Sequence, residues 1–148
     1  MTTEDEVRNA SRQFYAGLTK MANGDSGSLA DIWSHKTTVT ALHPIGAREV
    51  GWDAVRTSFE KVAELASDGD IGLKDQIIRV AGDMAYEMGI ERGQFKLAGQ
   101  PVIVDVRVTN IYQRESGAWK MVHHHSDTST AMLDVLSRLQ PASGQAGM

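Results

Sequence analysis

The chain has no cysteine, which removes disulfide frameworks, thiol nucleophiles, zinc ribbons and cysteine-held iron–sulfur clusters together. Proline is scarce, three residues in 148, and no proline-rich linker or internal repeat interrupts the chain. No apolar run approaches the roughly 18 residues that a membrane-spanning helix needs. No block of like charge exists either: 15 basic and 19 acidic residues are scattered, for a formal net charge of −4. Such a chain has no electrostatic footprint for nucleic acid and no polybasic membrane patch. A Gly-x-Ser-x-Gly elbow is absent, and Gly17, Gly24 and Gly27 do not form a phosphate loop, so serine hydrolysis and nucleotide cofactors are not expected. The first residues, Met1-Thr2-Thr3-Glu4-Asp5-Glu6, carry the wrong charge for a secretory leader, and a cytoplasmic location is expected.

What is present is ordinary globular material: 41% hydrophobic and 23% charged residues, in a length that suits one domain with a self-sufficient core. Thr3 and Glu6 read as a capping box. Val7, Ala10, Phe14, Leu18 and Met21 recur at helical spacing behind it, and Asn23-Gly24-Asp25 stops that helix. A short helix is expected over Ser28 to Trp33 and a strand over Thr37 to Leu42, ending at His43-Pro44. Gly46 and Gly51 bracket a loop. Asp53 opens a third helix through Val55, Phe59, Val62 and Ala66, and Ser67-Asp68-Gly69-Asp70 reads as a turn. Four strands follow, Gln76 to Val80, Met84 to Leu97, Val102 to Gln113 and Trp119 to Thr128, separated by turn signals. Gly89 and Gly93 inside the second of these suggest bulges or bends rather than breaks. Thr130 to Leu139 reads as a final helix, so residues 1–140 form one domain and 141–148 a flexible tail. Helices first and hairpins afterwards predict an α+β fold, a curved, cone-shaped, antiparallel or mixed sheet wrapped around N-terminal helices, with a pocket between.

Gly24-Asp25 after the first helix, the strand–His43-Pro44–glycine loop, Gly51-Trp52-Asp53-Ala54-Val55, and a long hairpin closing on Trp119 to His125-Ser126-Asp127 together form a pattern. It resembles the nuclear transport factor two-like superfamily with its cystatin-like fold. That group includes ketosteroid isomerase, the SnoaL-like polyketide cyclases and the association domain of calcium/calmodulin-dependent kinase II. The resemblance implies a small-molecule-binding domain: either a cofactor-free isomerase or cyclase acting on a small apolar or amphipathic substrate, or a non-catalytic oligomerisation or ligand-binding module like the association domain. It also implies a homodimer or higher homo-oligomer through the outer sheet face. His43 occupies the place of the isomerase general base. The isomerase tyrosine position falls at Gly17, with Phe14 and Tyr15 beside it, and the paired arginines of the association domain match Asn110 and Ser126.

His43 is the candidate catalytic residue, because an imidazole at a pocket mouth moves protons near neutral pH. Alternation places Val102, Val104, Val106, Val108 and Asn110 on the concave face. The resemblance puts Val122, His124 and Ser126 beside them, with Trp119, Met121, His123, His125 and Asp127 outward. Tyr15, Trp33, Asn110, His124 and Ser126 are therefore the expected ligand-binding residues. Met84 and Met88 are candidates for lining the cavity, whereas Glu87 and Glu91 read as a solvated strand face. His123, His125 and Asp127 offer two readings, a polar dimer interface or a metal site. An interface fits better, because a third or fourth ligand is missing, and no metal or other cofactor is expected.

Overall fold

The computed structural model describes residues 1–139; the expected tail, 141–148, lies outside the described residues. In chain order the elements are helix α1 (Thr3–Met21), a 3-10 turn (Gly27–Asp31), strands β1 (Thr40–Leu42) and β2 (Arg48–Val50), helix α2 (Trp52–Leu65), strands β3 (Ala66–Ala81), β4 (Met84–Leu97), β5 (Gln100–Glu115) and β6 (Ala118–Ser126), and helix α3 (Thr130–Leu139). The strands form one sheet in the order β2-β1-β6-β5-β4-β3. Every pairing is antiparallel except β1 with β6. This is the expected α+β architecture with a mixed sheet. Among the described residues no helix is long and apolar enough to cross a membrane.

Several boundaries differ from expectation for identifiable reasons. The capping box of α1 is Thr2 with Asp5, one residue earlier than Thr3 with Glu6: Asp5 N–H donates to Thr2 Oγ1 (3.1 Å) and Thr2 N–H to Asp5 Oδ2 (3.0 Å). The loop expected between Gly46 and Gly51 contains β2, too short to register as a pattern. Ser67 to Asp70, expected as a turn, belongs to β3, which leaves α2 directly. Its turn-forming residues serve an irregularity in the β3–β4 pairing between Ser67 and Asp70. Asp68 has φ 53° there, and Gly69 lies so close to α1 that a Cβ would sit 2.4 Å from the Ala22 Cβ.

The core lies between the concave face of the sheet and the helices. Phe14 and Leu18 of α1, Val55 and Phe59 of α2, and Val102, Val104 and Val106 of β5 are all buried in one cluster. The valine row alternates as expected, each inward valine separated by an exposed residue. β6 departs from simple alternation: Tyr112 pairs with Met121 and Ile111 with His123, so Val122 faces no partner. That bulge puts Trp119 and Met121 on the buried side along with His124 and Ser126, correcting the expectation that Trp119 and Met121 project outward. A bulge shifts side-chain parity by one residue, which strict alternation cannot anticipate.

A candidate acid–base site in an apolar cavity

β4 supplies the unexpected part of the site. Glu87 and Glu91 are buried, not solvated: the first is fully enclosed and the second is 3% exposed. Met84 and Met88, expected to line the cavity, stand on the opposite face and are 46% and 41% exposed. The signal was available in the parity of β4. Ala85, Phe95 and Leu97 are buried, and residues an even number of positions apart on a strand share a face. Phe95 and Leu97 therefore carry Glu87 and Glu91 inward.

A buried carboxyl is costly unless hydrogen-bonded or neutral. Glu87 is satisfied by three donors: Tyr112 OH to Oε1 (2.8 Å), Asn110 Nδ2 to Oε1 (3.0 Å) and Gln76 Nε2 to Oε2 (2.6 Å). Gln76 reaches inward beside the second irregularity of β3, between Lys74 and Ile77, and accepts in turn from Arg8 Nη1 on α1. Glu91 is treated differently. Its Oε2 accepts one bond, from Tyr15 OH at 2.9 Å. Burial, only partly offset by that bond and reinforced by Glu87, pushes its carboxyl up to about 7.

Asn110 links the two carboxyls. Its Nδ2 donates to Tyr15 Oη (3.0 Å) as well as to Glu87, so its Oδ1 is the acceptor facing His124 Nδ1 at 2.6 Å. This fixes His124 as the Nδ1–H tautomer and leaves a lone pair on Nε2. That Nε2 lies 3.7 Å from Glu91 Oε2. Burial, with the neighbouring His43, His123 and His125, holds His124 well below the usual histidine range. With Glu91 raised and His124 lowered, the contact is a neutral acid beside a neutral base, not an ion pair. The distance is too long for a direct hydrogen bond.

Both groups line a cavity of about 520 Å³, its open mouth included. Leu18, Met21, Phe59, Ile71, Phe95 and Val104 make apolar walls, joined by Ile45 and by Met132 of α3. His43 and Ser58 complete the polar lining. His43 is buried and pushed down to about 4 by its burial. Its Nε2 contacts Ser58 Oγ at 2.8 Å. The Ser58 hydroxyl proton is donated to the Val55 carbonyl, so Nε2–H is the donor to Ser58. The His43 and His124 ring centroids are 5.9 Å apart.

The cavity thus brings together His43 and His124 of the expected site, with Tyr15 and Asn110 one bond behind. Trp33 is not among its lining residues. It is buried in the core against Trp52 and Phe59 at centroid distances of 6.3 and 6.0 Å. Ser126 is buried as well, but its hydroxyl donates to the Asp127 carbonyl (3.0 Å) away from the cavity. Glu87, Glu91, Tyr112, Gln76 and Ser58 were not anticipated. On the outer face Asp127 is engaged by Arg107 through Nε (2.7 Å) and Nη2 (3.1 Å), and His123 Nδ1 by Thr40 Oγ1 (2.6 Å). Among the described residues no group of three or more His, Asp or Glu side chains is placed to hold a metal ion.

Similar folds are widespread among solved structures. A proposed dehydratase of the nuclear transport factor 2-like family from Streptomyces avermitilis is 23% identical, covers 86% of this chain and 96% of its own, and superposes with a TM-score of 0.73. A nuclear transport factor 2-like superfamily protein from Salmonella enterica is 16% identical (86% and 91% covered, TM-score 0.75). The CaMKII hub of S. rosetta is 18% identical (86% and 97% covered, TM-score 0.70). Among curated proteins, the F-box protein SKIP8 of Arabidopsis thaliana is 25% identical over 99 residues. The match takes in 67% of this chain and only 40% of that protein's length. The family model described as a SnoaL-like domain matches residues 7–131, almost the whole of the cone and its cavity; the chain belongs to the SnoaL-like family.

Proposed function

We propose that this SnoaL-like domain is a cofactor-free acid–base enzyme that enolises a small, largely apolar carbonyl compound, with isomerisation or cyclisation as the outcome. The observation that carries this reading is the Glu91–His124 pair: a carboxylic acid and an imidazole lone pair 3.7 Å apart on one wall of an apolar cavity. A carboxyl raised to about 7 suits proton donation near neutral pH, and burial keeps the His124 imidazole unprotonated, with its Nε2 lone pair free to accept. In the forward step the Glu91 carboxylic acid hydrogen-bonds the substrate carbonyl oxygen and His124 Nε2 removes the α-proton. The C–H electron pair moves into the new C=C bond, the carbonyl π pair moves to oxygen, and that oxygen takes the Glu91 proton. The enol faces an ionised Glu91 and a protonated His124. Where the substrate carries a β,γ double bond the product is a dienol; return of the His124 proton to its γ-carbon, as the enol proton passes back to Glu91 and the C=O re-forms, gives the conjugated isomer and restores both groups. Attack of the enol carbon on a second carbonyl would instead give a ring. His43 Nε2–H is committed to Ser58, so the role expected for His43 as the proton shuttle passes in this proposal to Glu91 and His124. The name of the Streptomyces relative, a proposed dehydratase, points to a related class of proton-transfer chemistry.

The test is solvent exchange. In D₂O the protein is expected to speed deuterium entry at the α-carbon of cyclohexanone, and Glu91→Gln to slow it by about 100-fold or more. Equal rates for the two proteins would refute the assignment. The rate is expected to fall as pH rises through about 7, where Glu91 loses the proton it must donate. Its acid limb lies well below 6.5, where His124 protonates.

A second reading concerns assembly, and the outer sheet face favours it. Met84, Tyr86 and Met88 of β4 stand in a row at 41–46% exposure, with Ile77 of β3 paired beside Met88 and 41% exposed. A row of this kind is a patch rather than scattered apolar residues. We propose that two copies of the chain pair through it; the superposition on a CaMKII hub supports an assembling face on this fold.

A further inference from the structure

His43 lines the cavity but takes no part in the enolisation proposed above. Its tautomer is fixed from outside: the only Ser58 proton goes to the Val55 carbonyl, so Ser58 accepts from His43 Nε2. The two nitrogens of an imidazole diverge, and a ring whose Nε2 is turned to α2 presents Nδ1 away from it. That Nδ1 has no protein partner among the described residues, and Phe59, Pro44 and Ile45 around the ring are apolar. The same holds across the cavity, where His124 spends its N–H on Asn110. Both imidazoles therefore offer acceptors to the ligand and neither offers a donor. One acceptor, on His124, is used by the α-proton; the other has no counterpart in a plain ketone.

We propose that His43 Nδ1 is a substrate-selecting acceptor that receives a ligand hydroxyl, so that the site takes hydroxylated cyclic ketones in preference to unsubstituted or alkylated ones. With the two ring centroids 5.9 Å apart, one small cyclic ketone can face both rings, its hydroxyl toward His43 and its reacting carbon toward His124. A ligand without a donor covers this lone pair and leaves it unpaired, which disfavours it despite the apolar walls. The inference rests on the enolisation reading for which carbon reacts, but its binding preference can be measured separately.

The experiment compares 4-hydroxycyclohexanone with 4-methylcyclohexanone, a pair matched in shape that differs in the donor. The wild-type protein is expected to bind the hydroxyl compound about fivefold more tightly, the worth of one net hydrogen bond. Its addition should move the ¹⁵N resonance of His43 Nδ1 while the methyl compound leaves it in place. In His43→Phe the preference is expected to vanish, and Ser58→Ala, which keeps the ring but frees Nε2–H, should reduce it. The resonance shift is read on the wild-type protein, so the result survives if a variant does not fold. Methyl-compound binding as tight as that of its hydroxyl partner overturns the proposal, and so does an unmoved Nδ1 resonance at saturation. Glu91→Gln separates the two claims: it should lose deuterium exchange and keep the hydroxyl preference. If the wild-type protein shows the preference without exchange, the catalytic reading fails alone. If neither ketone binds, both fail.

Discussion

Three buried titratable side chains surround one cavity, and folding affects them in opposite directions. Glu91 is raised from 4.5 to about 7, so it contributes stability that is complete below about 4.5 and lost as pH rises through about 7. His43 is lowered from 6.5 to about 4, and His124 is lowered too. Their contributions are present above 6.5 and disappear as pH falls. Between roughly pH 4.5 and 6.5 the unfolded chain thus binds one more proton than the folded chain at these three sites: two on the histidines against one on Glu91. Stability from this trio is expected to rise by about 1.4 kcal/mol per pH unit across that window. Glu91→Gln removes the opposing term and steepens the rise, whereas His43→Phe flattens it. Urea midpoints at several pH values read all three slopes, and parallel slopes in the three proteins would contradict the protonation states assigned here. At this scale the sequence exposed the histidines better than the acids. His43, His124, Asn110 and Tyr15 are nameable from position and face, whereas Glu91 is read the wrong way when its near neighbours Met88 and Ile90 are taken as the inward set. Only the buried Phe95 and Leu97, further along β4, decide which set points in.

Among the elements, β3 and β4 show how the sheet bends around the cavity. Gly93 pairs with Ile71 just beyond the first irregularity of β3, and a Cβ there would sit 2.0 Å from the Asp70 carbonyl oxygen and 2.8 Å from the Ile71 Cα. Backbone cannot yield as a flexible side chain does. Gly93→Ala is expected to cost about 3 kcal/mol in chemical denaturation. Gly72→Ala, where a Cβ meets nothing within 4 Å, should stay within about 0.5 kcal/mol. A tolerated Gly93→Ala would mean that the close approach of the two strands is not what bends the sheet. The bulges expected at Gly89 and Gly93 fall instead on β3, which those glycines allow to approach closely; the limits of β4 and α3 were legible, since each follows a clear turn signal or stripe. β2 and the start of β3 were not. Three residues carry too little periodicity, and Ser67 to Asp70 have turn composition because a bulged strand needs the same backbone freedom as a turn.

For the whole molecule, the expected architecture came from element order alone, helices before hairpins, and the topology agrees with it. What pattern could not supply was the distribution of apolar surface over the two faces of the sheet, which depends on each strand's parity. With Tyr86 45% exposed in the centre of an apolar row, the protein is expected to run in light scattering at twice its 16.1 kDa chain mass. Tyr86→Asp should return it to a monomer with its circular dichroism intact. A wild-type monomer at high micromolar concentration would leave that row without the partner proposed for it. The cavity and the outer face are the two sides of a single sheet, and β6 contributes to both, sending His124 inward with His123 and His125 on its other side.

The unpaired Val122 has a further consequence. It divides β6 into two lengths that keep register separately: Ala118 to Met121 follow the hairpin turn, while His123 to Ser126 follow β1 and the far end of β5. The first length is tied to the helical half as well, since Met121 N–H donates to the Ile32 carbonyl and Ser34 N–H to the Met121 carbonyl. Each length thus has its own anchor, one delivering Trp119 and Met121 to the core and the other His124 to the cavity.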